Sequence, residues 1–426
     1  PTLIFNVDVS FFLRIRTFTV LLAHASFTPS LFMTDIVAVS SARVHGTIDF
    51  DGFAGSFTTN SMTVYGNFEL STGMTISAST GAITFAATSG TKTITTNGIA
   101  IDQPITFDGV GGTFQLQDNL TTGSTRTVTL TNGALDLNSK TLSCGLFSSS
   151  NTNTRSVAFG TGNITLTGSG ATIFNGGGST TTGITITGTP NVNCTYSGST
   201  GTRTLVGGAR SVLTESQVFN FNVSAGSDIV VLQNAHAFKS LNFTGFTGTL
   251  TNNAVTAYGD LTLSSDMTLT SSSNAILFAG TSGTKTITTA LQTIDFPLNF
   301  SGTDSTFVFA DALTQGSTRA FTIANGTVKL KAGATSTVGA FATSGSTQKY
   351  LQSTTAGSQA TLSQASGTAS ASYLTIQDIN ATGGATWQAF LTNGNVNSGD
   401  NTGWDWYYQP GEYMYTRRKL KRLLIQ

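Results

Sequence analysis

The sequence predicts an all-β chain, a right-handed parallel β-solenoid with an internal duplication. Three observations predict it. A long stretch recurs downstream without a gap. Short segments alternate apolar residues with Thr. The composition is rich in strand and turn formers and poor in helix-forming surface residues.

The duplication is the firmest of the three. Residues 88–133 and 281–326 align over 46 positions with 26 identities. Asp102, Pro104, Phe107, Asp118, Leu120 and Arg126 map onto Asp295, Pro297, Phe300, Asp311, Leu313 and Arg319. At the same offset the match extends upstream through Tyr65-Gly66 and Tyr258-Gly259, as far as Asp35 and Asp228. It fades after about residue 155. A Thr-basic motif recurs at Lys92, Arg126, Arg155 and Arg203, and its interval is longer from Lys92 to Arg126 than from Arg126 to Arg155. Repeats of this scale belong to solenoids, in which no single repeat buries its own apolar face.

Local pattern supports the same class. Thr127-Val128-Thr129-Leu130-Thr131 and Ile164-Thr165-Leu166-Thr167 alternate with period two, which sends aliphatics to one face and Thr to the other. Asn97-Gly98, Asn132-Gly133 and Asn325-Gly326 follow such runs, where a turn wants positive φ. A tandem array of β-sandwiches uses similar turns and is the alternative architecture. The organisation that follows is an apolar N-terminal strand or assembly segment (1–33), copy 1 (34–226), copy 2 (227–372), an aromatic cap (373–406) and a basic tail (407–426).

Composition excludes several classes. Charged residues are 9% of the chain, against about 25% in typical soluble proteins. Glu occurs only at 69, 215 and 412. The formal net charge is zero and no basic stripe runs along the body, so nucleic acid is not an expected partner. Hydrophobic residues at 38%, including 29 Phe, are enough for a core and argue against disorder. No run reaches the roughly 18 apolar residues of a membrane span. Arg14, Arg16 and Ala23-His24-Ala25 give residues 11–27 a faint likeness to a signal peptide, but an N-terminal strand or plug is the preferred reading. Cys144 and Cys194 are expected to be free, buried thiols.

The chemistry-bearing residues are sparse. Asp49 with Asp51, and Asp102 with Asp108, are the carboxylate pairs a glycosidase would use. The second copy has Asn242 and Thr244 in place of the first pair, and Asp in Gly-rich turns is ordinarily a turn former. His24, His45 and His236 lack metal-ligand spacing with one another or with the cysteines. Residues 393–400 alternate oxygen donors as a calcium loop does, yet lack its sixth-position Gly and its Glu, so a turn cluster is expected. Neither cofactor nor metal is expected. The Thr-x-Thr strands suggest an ice-binding array, which the unequal intervals argue against. Asn163 and Asn222 begin Asn-x-Ser/Thr sites.

Trp387, Trp404 and Trp406 all fall in the C-terminal module. They are read as a seal over the last coil, with a glycan or partner platform as the functional alternative. The basic tail around Arg417, Arg418, Lys419, Lys421 and Arg422 is read as a partner-docking helix or a solvated end.

The GSTRTVTLTNGALDLN pattern at 123–138 and the YLTIQDINATGG…NTGWDW ending resemble β-helical repeat proteins of tailed phages and environmental bacteria. That resemblance implies a tail-fibre or surface-adhesin protein, placed extracellularly or on a virion. It carries over no site residues. The expected function is a non-enzymatic structural or adhesive fibre or filament subunit. It would self-associate and touch a surface glycan or host receptor. A glycan-binding or glycan-cleaving spike is the alternative.

Overall fold

The structure is a computed structural model and describes residues 17–19, 36–39, 42–44, 46–177, 184–208 and 214–407. It is an all-β solenoid of about 15 stacked parallel coils, with essentially no helix. The sandwich alternative is thereby set aside. Nearly all of the N-terminal apolar segment, all of the basic tail beyond Tyr407, His24 and His45 lie outside the described residues. Of the N-terminal segment, Thr17–Thr19 pairs in parallel with Ile36–Val39.

The chain divides into two compact units, one of residues 1–239 with 245–248, the other of 240–244 with 249–426. In the first unit Ile83, Ile105 and Val128 are successive register partners. In the second, Ile276, Leu298, Phe321 and Phe341 follow one another in the same way. One coil is therefore the stretch from Ile83 to Ile105, or from Ile276 to Leu298. The interval between the basic motifs at Lys92 and Arg126 is clearly longer, so it is not a coil length.

Each coil turns inward the residues that alternation predicts. On Thr141–Cys144, Leu142 and Cys144 are buried while Thr141 and Ser143 face outward. Leu142, Ile164, Val192 and Phe221 then align as an inner column, because their strands pair in register. The inner faces carry an aromatic spine. Phe85 stacks on Phe107 at 5.5 Å, with Phe114 against both. In the second unit Phe278 stacks on Phe300 at 5.0 Å, with Phe307 against both. The two triads occupy corresponding positions of the duplication.

Gly133 and Gly326 take φ of +79° and +71°. A Cβ at Gly133 would meet the carbonyls of Gly109 and Gly112, and one at Gly326 those of Gly302 and Ser305. Both constraints, left-handed φ and close backbone, require glycine there.

Cys144 pairs with Leu166, and Leu166 with Cys194. Two rungs of roughly 4.8 Å therefore separate the thiols, too far for a disulfide. Both are free and buried, and burial pushes the Cys194 thiol up to about 12.

Candidate functional site

The duplicated acidic residues are fasteners. Arg126 Nε donates to Asp102 Oδ1 at 2.7 Å, and Arg319 Nε to Asp295 Oδ1 at 2.6 Å. A tight turn delivers each arginine, with Arg126 N donating to Gly123 O and Arg319 N to Gly316 O. A Cβ at either glycine would collide with the partner carboxylate, which is why Gly-Ser-Thr-Arg recurs intact. The second duplicated acid acts on backbone: Asp118 accepts from the N–H of Thr96 and Gly98, and Asp311 from those of Thr289 and Leu291. Asp108 accepts from Asn132 Nδ2 at 2.6 Å, so it does not pair with Asp102.

Asp49 Oδ1 accepts the Asp51 N–H at 2.8 Å, a local turn. Its register partner is Glu69, absent from the carboxylate pairs weighed on sequence. Burial, then the charges of Asp49 and Asp51, raise the Glu69 carboxyl above its ordinary value. This trio is the nearest approach to an acid/base pair. Its counterparts in the second copy are Asn242, Thr244 and Thr262.

The deepest charge pair is Arg203 with Asp228. Both side chains are fully buried, with Nε and Nη2 donating to the carboxylate at 2.8 and 2.7 Å. The guanidinium lies 5.4 Å from the Tyr196 ring centre and 5.6 Å from that of Phe246. His236 Nδ1 accepts from Gly208 N at 3.0 Å, and burial lowers its pKa. Among the described residues no group of three or more His, Cys, Asp or Glu is placed to hold a metal ion. In the 393–400 loop, Asn395 is buried, accepting from Leu374 N and donating to Ala371 O and Phe390 O, so its amide serves the fold.

Trp387, Trp404 and Trp406 are 3%, 8% and 9% exposed. They continue the spine from Phe341, with Phe341–Trp387 at 5.7 Å, Trp387–Trp404 at 5.0 Å and Trp404–Trp406 at 6.4 Å. Trp387 Nε1 donates to Thr382 O. A sugar-stacking platform needs an open ring face, and these rings are packed into the core instead. Exposed aromatic side chains occur nearby at Tyr350 and Tyr373, 39% and 41% exposed.

Asn163 and Asn222 stand on outward columns of the first unit. Asn163 Oδ1 accepts from Thr165 Oγ1, and Asn222 Nδ2 donates to Asn193 Oδ1. Thr141, Asn163, Asn191 and Asn220 form one such column, all in register. These strands keep register although their coils differ in length.

No family model matches the chain, and neither the curated proteins nor the solved structures contain a match to it. No helix among the described residues is long and apolar enough to cross a membrane.

Proposed function

We propose that this chain is a non-enzymatic structural or adhesive subunit of a fibre or filament, carried on a virion or cell surface. The observation that carries the reading is how the duplicated polar residues are used. Asp102, Asp118, Asp295 and Asp311 are each committed to a coil-to-coil bond. The outward columns carry hydroxyls and amides, which suit weak, repeated contact more than chemistry. Placement on a virion or cell surface leans on the motif resemblance alone.

Negative-stain microscopy of the purified chain tests the assembly, with fibres or filaments expected. Deleting residues 3–22 should abolish assembly while leaving the β-sheet circular dichroism. The rival reading is a glycan-cleaving spike centred on Glu69. Release of reducing ends from a polysaccharide, lost in Glu69→Gln, would establish it and overturn the non-enzymatic reading.

A further inference from the structure

One patch of the outer surface combines exposed rings with amides. In the second unit, Lys349–Ser353 pairs with Leu374–Gln377, which pairs with Val396–Asn397. The register sets Tyr350 beside Thr375 and Thr375 beside Val396, with Gln352 beside Gln377 in the next column. Gln348, two positions before Tyr350, shares its face. Tyr350, Tyr373 and Val396 are all exposed, whereas Leu351, Leu374 and Ile376 point into the core. The outward residues of these columns are uncharged apart from Lys329, the register partner of Gln352.

The patch is built rather than incidental. Lys349 is fully buried, and its Nζ donates to Ser372 O at 3.0 Å and to Gly345 O and Tyr373 O at 3.4 Å. That ammonium sits 5.7 Å from the Tyr373 ring centre. Gly394, at φ +73°, lies against the same ring, where a Cβ would stand 2.8 Å from Cδ1. A buried cation and a bare backbone thus set the ring. The amides are set as well: Gln348 bridges Thr375 Oγ1 at 2.9 Å and Gly394 O at 3.2 Å, and Gln352 Nε2 reaches Gln377 Oε1 at 3.4 Å. Rings and amides held before binding lose little entropy on binding.

We infer that this face binds a neutral oligosaccharide, with the Tyr350 and Tyr373 rings against the C–H faces of pyranose units and Gln348, Gln352 and Gln377 against hydroxyls. The chemistry selects the occupant. Tyrosine supplies a flat apolar face with a polar tip, and glutamine offers a donor and an acceptor on one planar group. The inference rests on the adhesive reading above and moves its contact from the buried tryptophans to exposed tyrosines.

The test is titration calorimetry of the whole chain with cellohexaose, maltohexaose and N-acetylchitohexaose. At least one should bind. Tyr350→Ala and Tyr373→Ala should each weaken it about tenfold, Tyr350→Phe should keep most of it, and Tyr407→Ala, 80% exposed and outside the columns, should not change it. Urea midpoints confirm that each variant is folded. Binding by none of the three sugars, or binding unchanged in both alanine variants, overturns the inference. So does a sedimentation shift showing that Tyr350→Ala only dissociates copies of the chain. Fibres without sugar binding would sink this inference alone, whereas sugar hydrolysis would sink the non-enzymatic reading itself.

Discussion

Phe85, Phe107 and Phe114 pack as a triad in the first copy, and Phe278, Phe300 and Phe307 repeat it at nearly the same spacings. The Asp–Arg clamp at each Gly-Ser-Thr-Arg turn is repeated as faithfully. What the two units bury beyond these elements differs. Both hide a cation among neutral acceptors, Arg155 against Ser149 and Asn153 in the first and Lys349 among carbonyls and a tyrosine ring in the second, but the first also hides the ion pair Arg203 with Asp228. Interior polar groups have shifted too. Gln103 in the first copy has Phe296 as its counterpart, whereas Thr122 has Gln315. The Gln103 amide donates to Thr59 O and Ser77 O, and the Gln315 amide to Phe296 O and Ala320 O. Both copies satisfy carbonyls with interior glutamines, at different places, and the second adds Gln364, whose amide donates to Ser366 O. The comparison teaches that rung geometry is kept by rings and clamps, while interior polar solutions drift.

The comparison breaks most sharply at the rings. Phe107→Ala and Phe300→Ala each leave a cavity in a packed triad and should cost about 3–5 kcal/mol in urea unfolding. Unequal losses would mean that the copies are not mechanically equivalent. Asp228→Ala should cost about 3 kcal/mol, because the Arg203 guanidinium would stay buried without its partner. Lys349→Met should cost much less, since no buried counter-charge is orphaned.

Acid sharpens the contrast further. His236 has its pKa lowered by burial, and its Nδ1 must be unprotonated to accept from Gly208. The unfolded chain therefore binds the proton more readily. The stabilisation is present above the ordinary value of 6.5 and is lost as pH falls through the lower folded value. Urea midpoints measured against pH should fall in that window, and His236→Asn, which keeps an acceptor, should remove the dependence. An unchanged profile in that variant would assign the acid loss elsewhere.

Period two and the positive φ of Asn-Gly steps were legible because they need only neighbouring residues, although Asn132-Gly133 falls inside the strand Thr127–Asp136 and not at a turn between strands. Coil length was not. Lys92 lies on Thr91–Thr95 and pairs with Phe114 one coil on, whereas Arg126 sits in the turn before Thr127–Asp136, about half a coil later. The interval from Lys92 to Arg126 thus spans about one and a half coils. The objection to a regular Thr array rested on that interval. The Thr141 to Asn220 column stays in register across coils of unequal length, but it carries three Asn to one Thr and so is not a Thr array. The tryptophans show another limit. Trp404 and Trp406 are two apart and so share a face, but no local pattern says whether that face is inward. Arg155 and Arg203 carry the same Thr-Arg motif as the half-buried Arg126 and Arg319 yet lie in the interior, Arg155 against Ser149 and Asn153 and Arg203 against Asp228 on the following coil.

The smallest expected effect falls on the feature most faithfully repeated. The Arg319 hydrogen bond, then that from Ser271, holds the Asp295 carboxyl below its ordinary 3.8. The stabilisation it brings is present above 3.8 and lost as pH falls through the lower folded value. The clamp is partly open to solvent, so salt screens it and its thermodynamic weight is slight. Asp295→Asn and Asp102→Asn should therefore barely move the urea midpoint at neutral pH, and the small shift should vanish in high salt. Their retention then points to geometry. With Gly316 held tight to the carboxylate, the clamp sets where the following strand, Ala320–Ile323, begins. Hydrogen exchange at Phe321 and Ile323 should rise in Asp295→Asn even though global stability holds. Unchanged exchange there would show that the clamp sets nothing and is retained for some other reason.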